Sequence, residues 1–294
     1  MEWYKEVYKD SQRLEKKEDI AGKHVIVYAE QGFGDIIQFS RYIPELKKQC
    51  GKVTFHCPKD LHRLFKCFDV DLLDKENQEL PDHDFHVLSF DLPFVAQVLD
   101  VQFPYITCDE SEEIEGDEKK IGIVWEGSKN HPNALHRDCP LAFFKCFDVE
   151  GIKLFSLQKE ITNNSLTYGC EDMNLYSAEI NDFYDTAKLI NSMDMVISVD
   201  TSVLHLAGAM NKLTFGILSY QRDPRWDVRH WYDRMVVVRQ KIPHDWPACF
   251  RTVINMSTGV HLDQDAEQYV GDTLNKLQEV IDSNENLKSL IMEE

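Results

Sequence analysis

The sequence predicts an α/β protein built from two αβα domains, each with a parallel sheet. Short apolar runs rich in Val and Ile alternate with segments whose apolar residues recur at helical spacing. Such alternation is typical of βαβ units, which bring their strands together in parallel. Residues 109–118 include seven acids in ten and interrupt the pattern, which then starts again. Because an acidic run of this density stays solvated, we expect it to link two domains.

The predicted elements follow this plan in order. An N-terminal helix at 1–21 precedes the first domain, residues 22–108. The strands expected in that domain lie at 24–30, 52–57 and 86–90, with helices at 36–49 and 59–68. The second domain, residues 119–263, is expected to have strands at 120–127, 153–158, 195–199 and 213–218, with helices at 140–146, 183–191 and 203–210. A long amphipathic helix is predicted in the last segment, 264–294.

Composition excludes several classes of protein. Hydrophobic residues make up 43% of the chain, enough for packed cores, and no apolar run reaches the ~20 residues of a membrane span. The first twenty residues mix acids and bases without an apolar core, so we expect a cytoplasmic protein with no signal peptide. The net charge of −19 argues against binding nucleic acid through bulk electrostatics. The eight cysteines show no zinc-ligand spacing, so no metal site is expected.

The first candidate loop runs from Glu30 to Asp35 and joins a predicted strand to a helix. Ligands of parallel α/β sheets bind outside the carboxyl ends of the strands, where this loop lies. Its two glycines permit positive φ and close approach to a ligand. Ile37 occupies the third glycine position of a dinucleotide fingerprint, and no P-loop lysine follows. Asp35 is suited to act as a general base, and a tight turn with a helix-capping Asp35 is the alternative.

The second candidate loop contains Asp200, Thr201 and Ser202, at the start of a predicted helix. Hydroxyls and free amides at a helix N-terminus suit a phosphate. Asp200 is better placed to orient the loop or to bind a ribose hydroxyl, and His205, one turn later, is suited to donate to a phosphate oxygen. Ordinary N-capping with a core histidine is the alternative.

The third candidate loop is polar and cationic. It begins with Gly127 and Ser128 and includes Lys129 and Arg137, while Lys159 ends a neighbouring strand. Cations at these places are suited to neutralise the charge on a departing diphosphate. Solvated surface charge is the alternative for each of them.

A further basic segment, residues 222–241, carries six Lys or Arg against three Asp. Its arginines alternate with Trp226, Trp231 and Tyr232, a composition that suits binding a diphosphate, stacking a base or gripping nucleic acid. Arg222 and Arg225 are the candidates for phosphate or acceptor contacts. A long loop anchored by tryptophans is the structural alternative.

Four segments in order, EQGFGDIIQFSRYIPELK, IGIVWEGS…HRDCPL, KLFSLQK and DTAKLINSMDMVISVDTSVLHLAGAM, resemble the heptosyltransferase-like (family nine) glycosyltransferases. The DTSxxHLAGA block is the most diagnostic of them. The segment DPRW…WYDRMVVVRQ resembles the branch of that family often fused to tetratricopeptide repeats. The similarity extends from about residue 24 to about residue 245.

The resemblance implies a GT-B architecture, in which two Rossmann-like αβα domains face a central cleft. It also implies inversion at the anomeric carbon, no essential metal, and no cofactor besides a nucleotide sugar as substrate. Asp35 matches the family's acceptor-activating base, and Arg137 matches a cation that faces the donor phosphates. Donor-binding residues are then expected at Gly127, Ser128, Lys159, Asp200, Thr201, Ser202 and His205. Acceptor-binding residues are expected on the N-terminal domain, at Gln31, Gly32, Phe33 and Gly34.

The function predicted from these motifs is transfer of a hexose, pentose or heptose from a nucleotide-diphosphate donor to an acceptor hydroxyl. A closing cleft would exclude water that otherwise hydrolyses the donor. The acceptor is left open among glycan, lipid, protein and modified DNA base, as is the oligomeric state. The alternatives are a transferase acting on hydroxylated bases of DNA, a non-catalytic nucleotide-sugar binding module, and an epimerase on the same fold. Asp82-His83-Asp84 matches the D-x-D pattern of metal-dependent sugar transferases, but 51 acids make a chance match expected.

Overall fold

The computed structural model describes residues 8, 11–76, 79–98, 100–129, 134–161, 164–167, 169–221, 223–228 and 231–258. Within these residues the chain forms two parallel sheets, so the predicted α/β class is confirmed. The predicted helix at 264–294 lies outside the described residues. None of the helices described is both long and apolar enough to cross a membrane.

The N-terminal sheet has, in the described part of the chain, five parallel strands in the order β1-β5-β2-β3-β4. They are β1 (Gln12–Arg13), β2 (His24–Tyr28), β3 (Lys52–Cys57), β4 (Asp71–Asp74) and β5 (Phe85–Leu88). The α-helices beside them are α1 (Phe33–Phe39), α2 (Ile43–Gln49), α3 (His62–Phe65) and α4 (Leu92–Ala96). Short 3-10 helices lie at Ser40–Tyr42, Lys59–Leu61, Lys66–Phe68 and Ser89–Asp91.

The C-terminal sheet has, over the same described residues, six parallel strands in the order β8-β7-β6-β9-β10-β11. They are β6 (Lys119–Val124), β7 (Ile152–Ser156), β8 (Leu175–Ser177), β9 (Met195–Val199), β10 (Thr214–Leu218) and β11 (Met235–Arg239). Its α-helices are α5 (Ala134–Arg137), α6 (Phe183–Ser192), α7 (Ser202–Ala209), α8 (Arg225–Val228) and α9 (Trp246–Thr258), with 3-10 helices at Leu141–Phe147 and Asn164–Thr167. This strand order, 3-2-1-4-5-6 in chain sequence, is that of a Rossmann-type nucleotide-binding sheet.

The central strands are the ones that the apolar runs predicted. Val25, Ile26 and Val27 of β2 are fully buried, and every residue of β9 is buried. Strands covered by helices on both faces are expected to be apolar along their whole length rather than alternating. The predicted helices at 59–68 and 140–146 are instead largely 3-10 in conformation.

The predicted N-terminal helix at 1–21 is wrong for the residues that the structure describes. Gln12 and Arg13 pair in parallel with Phe85 and His86 of β5, and the Leu14 amide donates to the His86 carbonyl at 2.8 Å. The Leu14 side chain is fully buried. Pairing with an open sheet edge therefore overrides the helical pattern of this segment, and its remaining residues, 1–7 and 9–10, lie outside the described part.

The acidic segment 109–118 has neither helix nor strand and is mostly exposed. It is nevertheless attached to helix α6. Asn191 Nδ2 donates to the carbonyls of Cys108 and Glu110, at 3.2 and 3.0 Å, and Ser192 Oγ donates to the carbonyl of Glu112 at 2.8 Å. These bonds fix the path of the linker along the C-terminal domain.

The two sheets are held together by contacts between α1 and α7 and by a buried arginine. Arg41 is 2% exposed and belongs to the 3-10 helix that follows α1. Its Nη1 donates to the Trp231 carbonyl at 2.9 Å, and its Nη2 to the Tyr105 hydroxyl at 3.4 Å. Its guanidinium carbon also lies 4.9 Å from the centre of the Tyr232 ring. Arg41, which belongs to the N-terminal domain, thus forms a hydrogen bond with the segment that precedes β11 of the C-terminal sheet.

Candidate active site

A cleft of about 650 Å³ lies between the two sheets. Its walls come from the loops at the carboxyl ends of β2, β6, β7, β9 and β10. In the N-terminal sheet the strand order reverses between β2 and β5, and in the C-terminal sheet it reverses between β6 and β9. Such switch points are where ligands of open α/β sheets bind. The cleft therefore has the position of a ligand site in both domains at once.

Most of the residues predicted from the sequence line this cleft. They are Gly32, Phe33, Gly34, Asp35, Gly127, Ser128, Arg137, Lys159, Asp200, Thr201, Ser202, His205 and Arg225. Gln31 does not line it, and Arg222 lies outside the described residues. The structure thus brings together loops that are about 190 positions apart in the sequence, while the role of each residue stays a prediction.

Asp35 is both a cap for α1 and a wall of the cleft. Its Oδ2 accepts from the Gly32 amide at 3.1 Å, the bond that the capping alternative predicted. Positive φ was expected at the glycines of this loop, but it occurs at Gln31, with φ of 59°, and Gly32 has φ of −84°. Gly34 instead permits close packing, because a Cβ there would lie 2.9 Å from Cδ2 of His205.

Arg225 reaches Asp35 from the other domain. Its Nη1 donates to Asp35 Oδ1 at 2.8 Å, and its Nε donates to Asp223 Oδ2 at 2.7 Å. Burial of this guanidinium opposes its charge, but the carboxylates of Asp35, Asp223 and Asp200 outweigh that cost and raise the pKa of Arg225 above its ordinary value. A cross-domain ion pair therefore forms part of the lining of the cleft.

The loop after β6 is held by a buried carboxylate. Asp138 Oδ1 accepts from the Gly127 amide at 2.9 Å. Burial raises the pKa of Asp138 to about 6, and the nearby negative charge of Glu126 adds to the effect. Arg137 lies against this loop, since a Cβ at Gly127 would be 3.7 Å from Arg137 Nη2. Asp138 thus sets the backbone position of Gly127 next to a cleft cation.

Two buried polar atoms beside the cleft have no hydrogen-bond partner among the described residues. They are Arg137 Nε, a donor, and Gln158 Oε1, an acceptor. The amide nitrogen of Gln158 is used, since it donates to the Glu126 carbonyl at 3.1 Å. Buried polar groups are otherwise almost always paired. The two atoms therefore mark places where a polar ligand would complete the hydrogen bonding.

The N-terminus of α7 also opens into the cleft. Thr201 Oγ1 lies 3.1 Å from Ser198 Oγ and accepts from the Leu204 amide at 3.4 Å, so this hydroxyl caps the helix as the alternative predicted. Ser202 and Val203, the first two residues of the helix, line the cleft. Amides of a first helical turn have no partner within the helix and favour an anion.

His205 lies one turn further and is 2% exposed. Its Nδ1 is 2.7 Å from the Tyr232 hydroxyl, and its ring stacks on Trp226 with ring centres 5.3 Å apart. Burial, together with the positive charges of Arg225 and Arg41, lowers the pKa of His205 well below its ordinary value. The imidazole is therefore neutral and packed, as the core-histidine alternative predicted, and its contact with a phosphate stays a prediction.

The two remaining predicted donor residues are held by neighbours. Lys159 is half exposed, and its Nζ donates to the Asn181 carbonyl at 2.8 Å and lies 3.8 Å from Asp60 Oδ1. Asp200 Oδ2 accepts from Trp226 Nε1 at 3.3 Å. Asp200 is thus oriented by the basic segment after β10, a relation that sequence spacing does not reveal.

Several cleft residues were not predicted as site residues. Asp223 and Gln158 line the cleft next to predicted positions, and Phe183 packs on Phe33 with ring centres 4.9 Å apart. Gln158 directly precedes Lys159 at the carboxyl end of a predicted strand. This position could have identified Gln158 as a candidate site residue from the sequence. The pairing of Phe33 with Phe183 joins segments 150 positions apart and had no local signal.

The D-x-D match lies far from the cleft, at the amino end of β2. Asp84 accepts from the His24 amide at 2.9 Å and from Lys23 Nζ at 3.0 Å. These bonds give Asp84 a structural role. In the described part of the chain, no group of three or more His, Cys, Asp or Glu side chains is arranged to hold a metal.

Comparison with known proteins finds a family match in the C-terminal part of the chain. Residues 152–252 match the model of glycosyltransferase family 9 (heptosyltransferase). This stretch is similar to the family 9 glycosyltransferases. It contains β7 to β11 and most of α9, and with them the loops of Lys159, Asp200 and Arg225. No curated protein matches the sequence.

Solved structures resemble the fold of most of this chain. The glycosyl transferase family 9 protein from Veillonella parvula is 12% identical with a TM-score of 0.57, over 89% of this chain and 99% of that one. The E. coli ADP-heptose lps heptosyltransferase II is 12% identical with a TM-score of 0.57, over 87% and 99%. The iron-containing dodecameric glycosyltransferase TibC from enterotoxigenic E. coli is 10% identical with a TM-score of 0.51, over 90% and 78%. The predicted resemblance to the family nine glycosyltransferases, the GT-B architecture and the glycosyltransferase class are confirmed, while the resemblance to the branch fused to tetratricopeptide repeats stays a prediction.

Proposed function

We propose that this protein is an inverting, metal-independent transferase that moves a sugar from a nucleoside-diphosphate donor to an acceptor hydroxyl. One observation carries the proposal. The cleft has a carboxylate, Asp35, on its N-terminal wall, and Arg137 and the first amides of α7 on its C-terminal wall. A single displacement at a sugar carbon needs a base on one side and anion-stabilising groups on the other.

The reaction follows from the placement of a base on one wall of the cleft and anion-stabilising groups on the other. The acceptor oxygen attacks the anomeric carbon while its proton passes to the Asp35 carboxylate. The bond between that carbon and the diphosphate oxygen breaks, and its electron pair leaves with the diphosphate. Arg137 and the amides of Ser202 and Val203 then stabilise the released charge. Attack on the face opposite the leaving group inverts the anomeric centre.

Donor and acceptor are assigned by class. A solved relative is described as an ADP-heptose heptosyltransferase, so ADP and ADP-heptose are the first probes for the donor site. Hexose and pentose donors stay within the proposal, as do glycan, lipid and protein acceptors. A cytoplasmic location, predicted from the sequence, is also part of the proposal.

The alternative of a DNA acceptor has less support from the basic segment. Its described arginines make bonds within the chain: Arg225 to Asp35 and Asp223, and Arg239 to Asp227 at 3.4 Å and to the Gln221 carbonyl at 3.2 Å. Arginines that already form these bonds within the chain are less available to bind the phosphates of a DNA duplex. We therefore do not propose this function.

Asp35→Asn tests the proposal. We expect ADP release from ADP-heptose to fall by about 100-fold or more, the usual loss for a general base, because Asn cannot take the proton. Affinity for ADP, measured by calorimetry with and without chelator, is expected to stay within about threefold, because the donor groups lie on the other wall. Asp60→Asn, which removes another carboxylate of the same cleft, is the control and should retain turnover.

Three outcomes would contradict separate parts of the proposal. Wild-type turnover in Asp35→Asn would show that Asp35 is not the base. Loss of ADP binding in chelator would contradict metal independence. A wild-type protein that binds none of a panel of nucleoside diphosphates would contradict the transferase as a whole.

A further inference from the structure

The carboxylate of Asp35 has a hydrogen bond on each oxygen, and the two bonds come from different domains. Oδ2 accepts from the Gly32 amide in its own loop. Oδ1 accepts from Arg225 Nη1, which belongs to the segment after β10. Each carboxylate oxygen has two lone-pair sites, so one bond to each still leaves room to take a proton. The two bonds together fix the plane of the carboxylate.

Arg225 is itself held in place along its whole length. Asp223 Oδ1 accepts from the Arg225 amide at 2.9 Å, and Asp223 Oδ2 accepts from its Nε at 2.7 Å. The Arg225 carbonyl accepts from Trp231 Nε1 at 2.7 Å, and the Trp231 carbonyl accepts from buried Arg41. A planar guanidinium fixed in this way is preorganised to orient a carboxylate.

We propose that Arg225 is a positioning residue that orients Asp35 toward the acceptor oxygen. The ion pair joins the two domains, so Asp35 is held in this orientation only while the two walls of the cleft are in contact. This inference rests on the proposed role of Asp35 as base. It assigns to the C-terminal domain a part in acceptor activation as well as in donor binding.

The charges around Arg225 favour this role over phosphate binding. Its guanidinium is close to three carboxylates, those of Asp35, Asp223 and Asp200, and each of them raises the pKa of Arg225. A diphosphate placed against Arg225 would also meet these three carboxylates, and like charges repel. Arg137 lies on the wall that also carries the first amides of α7. Its guanidinium is positively charged, and its Nε donates no hydrogen bond to the described residues. Phosphate binding is therefore the other outcome of the test.

The test compares Arg225→Gln and Arg225→Lys with wild type, Asp35→Asn and the double variant Asp35→Asn/Arg225→Gln. Turnover is followed as ADP release from ADP-heptose, and donor affinity by calorimetry with ADP. We expect Arg225→Gln to lower kcat by about 10- to 100-fold, the size of effect that a misplaced reacting group has, with KM for the donor and Kd for ADP within about threefold. Arg225→Lys is expected to recover part of the loss, because it restores a cation.

The double variant is the sharpest arm of the test. If Arg225 acts through Asp35, removing it from Asp35→Asn should cause no further loss of kcat, because residues that act as one unit are non-additive. Arg63→Gln is the matched control. Arg63 also bonds across the domains, to Asp182 and Asp185 at 3.0 and 3.1 Å, but does not touch Asp35. Its turnover should stay within about threefold.

Other outcomes would overturn the inference. Additive losses in the double variant would mean that Arg225 acts independently of Asp35. A tenfold or larger loss of ADP affinity with kcat unchanged would make Arg225 a phosphate ligand. If ADP-heptose gives no turnover, the urea midpoints of wild type, Asp35→Asn, Arg225→Gln and the double variant decide: non-additive shifts support the pairing, and additive shifts contradict it. A wild-type protein that binds none of the panel of nucleoside diphosphates would instead contradict the proposed function alone.

Discussion

Asp138 shows how a single buried carboxylate both builds the cleft and responds to pH. It is 8% exposed and holds the Gly127 amide, yet burial raises its pKa to about 6. Because the folded value lies above the ordinary value of 3.8, the folded chain holds this proton more tightly than the unfolded chain does. Stability from this group is therefore fully present below pH 4 and is lost as pH rises to about 6.

Asp138→Asn should remove that pH dependence, because Asn is always neutral and its Oδ1 still accepts from Gly127. We expect the free energy of unfolding of the variant, relative to wild type, to rise by up to about 3 kcal/mol between pH 4 and pH 7. Urea unfolding at the two pH values measures it. Asp117→Asn, in the exposed linker, is the control. A difference that is flat with pH would show that Asp138 is already ionised at pH 4 in the folded protein.

At the scale of single residues, the sequence predicted well which residues line the cleft. It predicted less well which contacts each of them makes there. Asp35 lies in the cleft, but its pairing with Arg225 joins positions 35 and 225 and has no local signal. The Thr201 hydroxyl is used to cap its helix. Gln31 takes the positive φ that glycine was expected to take. Neighbours from distant segments decide these details.

At the scale of elements, the contact between α1 and α7 depends on Gly34. A Cβ at this position would lie 2.9 Å from Cδ2 of His205 and 3.5 Å from Cα of Ser202. His205 cannot move aside freely, because it is bonded to Tyr232 and stacked on Trp226. The helices can therefore stay this close only without a side chain at position 34.

Gly34→Ala is expected to lower the free energy of unfolding by about 1–3 kcal/mol, the usual cost of overpacking a tight contact. Chemical denaturation measures the change. Gly32→Ala is the matched control in the same loop, because the nearest atom to its added Cβ is Asp35 Oδ2 at 3.5 Å, an ordinary contact. Equal destabilisation by the two substitutions would contradict the packing role of Gly34.

The elements that the sequence predicted well are those whose residues are buried on both faces, such as β2 and β9. The elements that were missed are short strands at or near the sheet edges. Asp71–Asp74 contains two apolar residues between two acids and has no fully buried residue, so no apolar run marks it. Gln12–Arg13 is a strand because β5 offers an unpaired edge. Edge strands are determined by their partner more than by their own composition.

At the scale of the whole molecule, Arg41 joins the two domains from inside. Its guanidinium donates to carbonyls of Gln38 and Trp231 and to the Tyr105 hydroxyl. In addition, the amides of Tyr105 and Ile106 donate to the Ala209 carbonyl at the end of α7, at 3.1 and 3.3 Å. These bonds attach the end of the N-terminal domain to helix α7 of the C-terminal domain.

Arg41→Met keeps most of the volume and removes every donor of the guanidinium. We expect it to lower the free energy of unfolding by about 3 kcal/mol, because buried acceptors are left unpaired. We also expect it to separate the unfolding of the two domains in urea, measured by tryptophan fluorescence and far-UV circular dichroism. Arg63→Met, at the exposed domain contact, should cost under about 1 kcal/mol. A single transition with an unchanged midpoint would contradict the bridging role of Arg41.

The register of the C-terminal sheet has a consequence for the kinetics of folding. Ile121 of β6 is paired with Met195 of β9, 74 residues later in the chain. The loops that leave these two strands acquire a common geometry only when this long-range pairing forms, and pairings of this kind are slow. Partly folded chains therefore lack a complete C-terminal wall of the cleft. A ligand that touches both loops would slow the unfolding rate of the native protein and leave its refolding rate unchanged.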